Sequence, residues 1–263
     1  MTTFYKRLEH IFSNKKLGSS ELVIKLNELY KAFQNENKVI KSSIPIISSK
    51  LGHFPSVSNY LVELNAIVSS NDKVRLVKFF KDFSKNELTK YEKIFNELFN
   101  SIKKTKNIIT VSRSGTVLNI LKLWKSINKN LRVVVCESRP MYEGRLLAED
   151  LLKIGLKVEV ITDSAMSLYV PKVDAAIIGA DSVLKNGNVI NKTGSKSLAL
   201  LCKECKKPFY VVATQSKFSN RKIFKPKKED PDEIWTKKHN NLKVSNIYFE
   251  EISNKLITKI FTD

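Results

Sequence analysis

The sequence predicts an α/β protein with helices first and a parallel sheet after. Apolar residues recur at helical spacing through the first hundred or so positions, and short β-rich runs alternate with helical stretches from about Asn107 onward.

Leu22, Leu26 and Leu29 fall on one helical face near the N-terminus, and Ile94, Leu98 and Ile102 do so before the pattern changes. A break is expected from Lys41 to Val57, where Pro45, Gly52 and Pro55 interrupt the periodicity, and Asn71 or Asp72 is placed to cap a further helix. The β-rich runs are Ile108–Val111, Leu131–Val135, Lys157–Ile161, Ala175–Ile178 and Phe209–Ala213. Their apolar density, with helical stretches between them, indicates parallel strands buried on both faces. The intervening helices are read as Gly115 to Ile127, Met141 to Ile154 and Ser195 to Cys205. Two domains are expected, residues 1–104 helical and residues 105–263 built on the sheet. The basic, proline-bearing stretch from Lys217 to Asn241 reads as an exposed loop or arm.

The net charge of +20, from 46 Lys and Arg against 26 Asp and Glu, favours anionic partners such as phosphates or RNA, although lysines spread over solvent faces give the same total. Cys136, Cys202 and Cys205 are too few for a disulfide scaffold and are expected as thiols. The spacing of Cys202 and Cys205 fits a metal pair but equally a buried helix face, and no metal is expected. No apolar run reaches membrane-spanning length and Met1–His10 lacks the apolar core of a secretory signal, so a cytoplasmic protein without a membrane partner is expected.

In a parallel sheet, ligands bind beyond the carboxyl ends of the strands, so the turns there are the candidates for chemistry. Ser112-Arg-Ser-Gly-Thr116 leads into a helix and offers backbone N–H groups, hydroxyls and the Arg113 charge to a phosphate; alone, it serves equally as a helix cap. Cys136-Glu-Ser-Arg-Pro140 puts a thiol at a strand end near Arg139 and Arg145, a setting for proton transfer, or for core filling beside surface ion pairs with Glu137 or Glu143. Gly179-Ala-Asp181 ends the fourth strand in an acid suited to proton shuttling or to capping a turn. Asn191 and Lys192 can bind a hydroxyl and a phosphate. Asp163-Ser164 is a weaker candidate that also reads as a helix cap.

Taken in order, SRSGTVLNIL, CESRPMYEGRLLAEDL, DSAM and GADSVLKNGNVINKTG resemble one superfamily, over about Asn107 to Phe218 with a fainter tail through Tyr248–Thr258. It unites the methylthioribose-1-phosphate and ribose-1,5-bisphosphate isomerases with the alpha, beta and delta regulatory subunits of the eukaryotic translation-initiation guanine-nucleotide exchange factor. The resemblance implies a helical N-terminal domain, a Rossmann-like parallel-sheet domain, and a homodimer or homohexamer. It also implies a phosphorylated sugar or nucleotide as ligand, with no metal or organic cofactor. Cys136 and Asp181 match the isomerases' catalytic pair and Asn191-Lys192 their sugar-phosphate-binding dipeptide, most similar to archaeal ribose-1,5-bisphosphate isomerase. Lys16-Leu-Gly-Ser-Ser20 is closer to the corresponding turn of the regulatory branch, so Gly18, Ser19 and Ser20 are either a phosphate-facing turn or a plain N-cap.

The resemblance therefore implies an aldose–ketose isomerase acting on a phosphorylated pentose. Cys136 and Asp181 would move protons, and Arg113, Ser114, Gly115, Arg139, Arg145 and Lys192 would hold the phosphates. The alternative it leaves is a non-catalytic regulatory subunit that binds a translation initiation factor subunit or senses a sugar phosphate or nucleotide.

Overall fold

The computed structural model describes residues 3–14, 17–128 and 130–263. Helices α1 (Thr3–Ser13), α2 (Ser19–Ala32), α3 (Asn37–Leu51), α4 (Pro55–Ser69) and α5 (Lys73–Ile102) come first. Their apolar stripes converge on one core: Phe4, Leu8 and Ile11 from α1 meet Leu22, Leu26 and Tyr30 of α2, and Leu61 and Leu64 of α4. Glu21 accepts the Gly18 N–H at 3.2 Å to start α2, and Asp72 accepts the Arg75 N–H at 2.9 Å to start α5.

The expected break over Lys41 to Val57 is narrower than the sequence suggests. Helix α3 runs through Lys41 and Pro45, and the chain leaves helical geometry only around Gly52–Phe54. An interior proline costs about 3 kcal/mol, but Pro45 is exposed while Ile40, Ser43 and Ile47 are fully buried on the opposite face, and Ser43 bonds Tyr30 at 3.0 Å. Packing has overridden local propensity.

The second half is a six-stranded parallel sheet in the order β3-β2-β1-β4-β7-β9, with β1 (Asn107–Val111), β2 (Arg132–Cys136), β3 (Lys157–Ile161), β4 (Ala175–Ile178), β7 (Phe209–Val212) and β9 (Lys259–Phe261). Helices α6 (Gly115–Ile127) and α7 (Glu143–Lys153) cover one face, over Ile108, Val133, Val135 and Ile177. The last turns of α5 join them there through Ile94, Leu98 and Ile102, while its Leu76 and Phe80 belong to the helical core, so this 30-residue helix ties the two halves together. The opposite face, with Ile109, Val134, Ala176 and Ile178, is closed by the short α8 (Met166–Tyr169) and by α9 (Ser195–Glu204).

A second, antiparallel sheet was not expected: β5 (Ser182–Val183), β6 (Val189–Lys192) and β8 (Phe249–Ile252), in the order β5-β6-β8. Its strands are too short to show a period of two. The expected arm also begins later than Lys217, because Lys217 is buried at 3% exposure and the run becomes open only beyond Phe218. Among the described residues, no helix is long and apolar enough to cross a membrane.

Candidate functional site

Strand order reverses between β1 and β4, and this is where an open parallel sheet leaves a crevice beyond its carboxyl ends. Two glycines shape that rim. A Cβ on Gly179 would lie 2.2 Å from Ser114 Oγ, so only glycine lets the N-cap of α6 approach the end of β4. A Cβ on Gly144 would lie 1.8 Å from the carbonyl oxygen of Cys136, so glycine is also required where α7 crosses the end of β2. Between these points Ser138 Oγ receives the Ser112 N–H at 2.8 Å and donates to the Cys136 carbonyl at 3.0 Å, and Asp163 accepts the N–H groups of Ser138 and Arg139 at 2.9 and 2.8 Å. Ser112, Ser138 and Tyr142 all take positive φ here, strain of the kind that gathers where a rim is shaped for function.

The crevice holds a cavity of about 260 Å³ between the rim and the helical half. Helical elements contribute Gly18, Ser19 and Ser20 with the apolar Leu51 and Phe54; the sheet half contributes Arg113, Ser114, Gly115, Glu143, Asp181, Asn191, Lys192 and Lys217. Ser19 Oγ donates to Asp181 Oδ1 at 2.7 Å and accepts from Lys217 Nζ, so one hydroxyl from α2 bridges an acid and a cation of the sheet half. Burial pulls the Lys217 ammonium down to about 8, against the opposing pull of Asp181 and Glu87. His53, at the mouth, is also lowered, first by burial and then by Lys227.

The other cations are spoken for. Lys192 Nζ meets Glu143 Oε1 at 2.5 Å, with only 6% and 7% of the two side chains exposed, and lies 4.3 Å from the ring centre of Tyr248 and 5.2 Å from that of Phe249. Arg113 is clasped by Glu21 at 2.6 Å and Asp150 at 2.8 Å; burial works against its charge, but these bonds outweigh it and raise its pKa. Asn191 donates to Ser195 Oγ at 2.9 Å.

The structure thus brings Gly18, Ser19, Ser20, Arg113, Ser114, Gly115, Asp181, Asn191 and Lys192 to one cavity, and does not bring Cys136, Arg139 or Arg145 to its surface. Cys136 is fully buried in a cluster with Val134, Ile161 and Met166, and its register partner on β1 is Val111, which lines the cavity. Burial, then Asp163, pushes its thiol up to about 12. Cys136, expected with Asp181 as a proton-moving pair, therefore lies off the cavity surface, because the turn after β2 folds back over its own strand end. Arg145 pairs with Glu137 at 2.6 Å and stacks on Tyr142, and Arg139 also stacks on Tyr142 and donates to the Ile234 carbonyl at 3.4 Å. Asp163 anchors the turn after β2 and does not line the cavity, and Lys16 lies outside the described residues. Sequence reasoning passed over Lys217 and Glu143. Lys217 follows β7 at the same rim, a position the strand-end rule selects, but in sequence it merges with the basic run beyond it, and Glu143 reads only as a partner for the arginines. Among the described residues, no group of His, Cys, Asp and Glu is arranged to hold a metal ion.

Comparison with known proteins settles the family. The model of the initiation factor 2 subunit family matches residues 18–263. The chain belongs to that family. Within the initiation factor 2 subunit family it is similar to a translation initiation factor eIF-2B subunit 2-like protein of Pyrococcus abyssi, 47% identical over 111 residues, but the match spans only 42% of this chain and 40% of that relative. It is 27% identical over 251 residues to the ribose 1,5-bisphosphate isomerase of Methanocaldococcus jannaschii, covering 92% of this chain and 80% of the relative. Among solved structures, the translation initiation factor eIF-2B of Pyrococcus horikoshii OT3 superposes with a TM-score of 0.82 at 26% identity, over 99% of this chain and 95% of the other.

Proposed function

We propose that the cavity binds a phosphorylated pentose and that the chain is an aldose–ketose isomerase converting ribose 1,5-bisphosphate to ribulose 1,5-bisphosphate. The observation that carries this reading is Asp181 at the cavity wall, hydrogen-bonded at 2.7 Å to a hydroxyl that also receives the buried Lys217 ammonium. An acid suited to moving oxygen protons and a cation suited to an anion stand together, beside the N-terminus of α6 at Ser114 and Gly115, where the first helical N–H groups favour a phosphate. The similarity to an enzyme named ribose 1,5-bisphosphate isomerase, over nearly the whole chain, supports the same substrate.

The C1 phosphate prevents spontaneous ring opening, so the reaction needs a proton delivered to the ring oxygen as its bond to C1 breaks. Hydrogen then crosses from C2 to C1, and the C2 hydroxyl gives up its proton as the ketone forms. Asp181 supplies the first proton and recovers the last, leaving it unchanged over the cycle. Cys136, a thiol beside Val111 in the sheet, is the group to exchange the carbon-bound hydrogen: after giving its own proton to water, the thiolate takes the proton from C2 and returns it to C1, which requires the end of β2 to open to the cavity on substrate binding.

A second reading, a regulatory subunit that senses a sugar phosphate without turning it over, is favoured by one observation: the complete burial of Cys136. Purified protein incubated with ribose 1,5-bisphosphate and assayed for ketose separates the two. Turnover in the wild type that is lost in folded Asp181→Asn and Cys136→Ser supports the isomerase. Binding without any ketose in the wild type supports the sensor.

A further inference from the structure

Glu143 carries a feature that ion pairing with Lys192 leaves unexplained. One carboxylate oxygen meets Lys192 Nζ, while the other, Oε2, is shielded from solvent and has no hydrogen-bond partner among the described residues. A carboxylate oxygen is an obligate acceptor, and leaving one buried and unpaired is costly enough that native structures rarely do so without a water, ion or ligand to satisfy it. The residue lines the cavity at the first position of α7, and its backbone is held by the close packing of Gly144 on β2.

The surroundings select what can satisfy it. Lys192 donates to Oε1 and faces the rings of Tyr248 and Phe249, so this corner of the cavity is a neutralised pair walled by aromatics, with no spare positive charge for a second anion. A phosphate placed there would face the free carboxylate oxygen; a hydroxyl would donate to it.

We propose that Glu143 is a ligand-binding residue whose Oε2 accepts a hydrogen bond from a sugar hydroxyl, so that the cavity takes a polyhydroxylated phosphate ester with its hydroxyl face toward α7. This rests on the reading of the cavity as a phosphorylated-pentose site and holds for either an isomerase or a sensor.

Calorimetric titration of the wild type and of Glu143→Gln with ribose 1,5-bisphosphate and with its 2-deoxy and 3-deoxy analogues tests it. Glutamine can keep an oxygen on Lys192 but then turns a donor toward the ligand. In the wild type, removal of the recognised hydroxyl weakens binding by about 10-fold or more, the range for a hydrogen bond to a charged group. In Glu143→Gln the parent ligand binds correspondingly more weakly and the penalty for that deoxygenation falls below about 2-fold, as for two groups that no longer interact. An unchanged penalty in the variant, or no penalty in the wild type, overturns the inference while leaving the pentose site standing. Failure of the wild type to bind ribose 1,5-bisphosphate overturns both. Should Glu143→Gln lose its circular-dichroism signature, Glu143→Asp, with the charge on a shorter stem, carries the same comparison: a reduced penalty supports the inference and an unchanged one overturns it.

Discussion

The ends of β2 and β4 sit on the same rim of one sheet, and each carries a residue of chemical interest, Cys136 and Asp181. Their surroundings differ. Beyond β2 the chain turns back on itself, with Ser138 and Asp163 bonding the turn and Gly144 pressed to the Cys136 carbonyl, so the thiol is sealed in the core. Beyond β4, Gly179 admits the cap of α6, and Asp181 is left facing a cavity where Ser19 donates to it and Lys217 donates to Ser19. Position on a sheet places a residue near a ligand; the packing of the following turn decides whether the ligand reaches it.

The largest expected effect lies at the β4 end. Asp181→Asn lowers ketose formation from ribose 1,5-bisphosphate by about 10²- to 10⁴-fold, the usual contribution of a positioned acid–base group, without loss of fold. A variant with wild-type turnover would remove the chemical distinction of this strand end.

Stability separates the two ends next. Gly144→Ala forces a methyl into a backbone carbonyl, which has nowhere to move, and is expected to destabilise by about 3 kcal/mol, the upper end for overpacking. Gly179→Ala meets Ser114 Oγ and, at 2.6 Å, Ser114 Cβ, so the hydroxyl must leave its cap to Val117 and the start of α6 must shift slightly, but no backbone atom comes closer than 4.0 Å; this should cost less, about 2 kcal/mol in chemical denaturation. The reverse order would mean that the β2 turn is the looser of the two.

The pH dependence is smaller and has opposite signs for two observables. The Lys217 ammonium is present below about 8, so affinity for an anionic ligand holds there and falls as pH rises through that value; Lys217→Arg should flatten the inflection. Because its pKa is lower folded than the ordinary 10.5, the unfolded chain binds the extra proton between about 8 and 10.5, and ligand-free stability rises across that window. At the β2 end the sign is reversed: burial raises the Cys136 thiol from 9.0 to about 12, so the unfolded chain gives up that proton first and the thiol's contribution to stability is lost as pH rises between those values. The mildest test is thiol labelling at neutral pH: partly exposed Cys205 reacts first, while buried Cys136 and Cys202 react only on unfolding.

Much of the architecture was legible because its signals are local and strong. Lys157–Ile161 and Ala175–Ile178 are strands as read, Gly115–Ile127 is a helix as read, and Asp72 caps α5. The small sheet and β9 escaped because their two to four residues mix polar with apolar, as in Phe249–Ile252, and lack the apolar density that marks Ala175–Ile178, and Pro45 misled because burial of Ile40 and Ile47 outweighs it. Site composition was harder to read. Sequence order cannot show that Glu143 has claimed Lys192, that Glu21 and Asp150 have claimed Arg113, or that Lys217 leaves its basic run to enter the core. Those facts depend on side chains far apart in the chain.

Hydrogen–deuterium exchange of the wild type with and without ribose 1,5-bisphosphate tests most directly whether a phosphorylated pentose occupies this cavity. Slowed exchange concentrated at residues 18–21, 112–118, 180–182 and 191–193 is the predicted result. No change on adding the ligand, or protection confined to the exposed 220–240 segment, would contradict it.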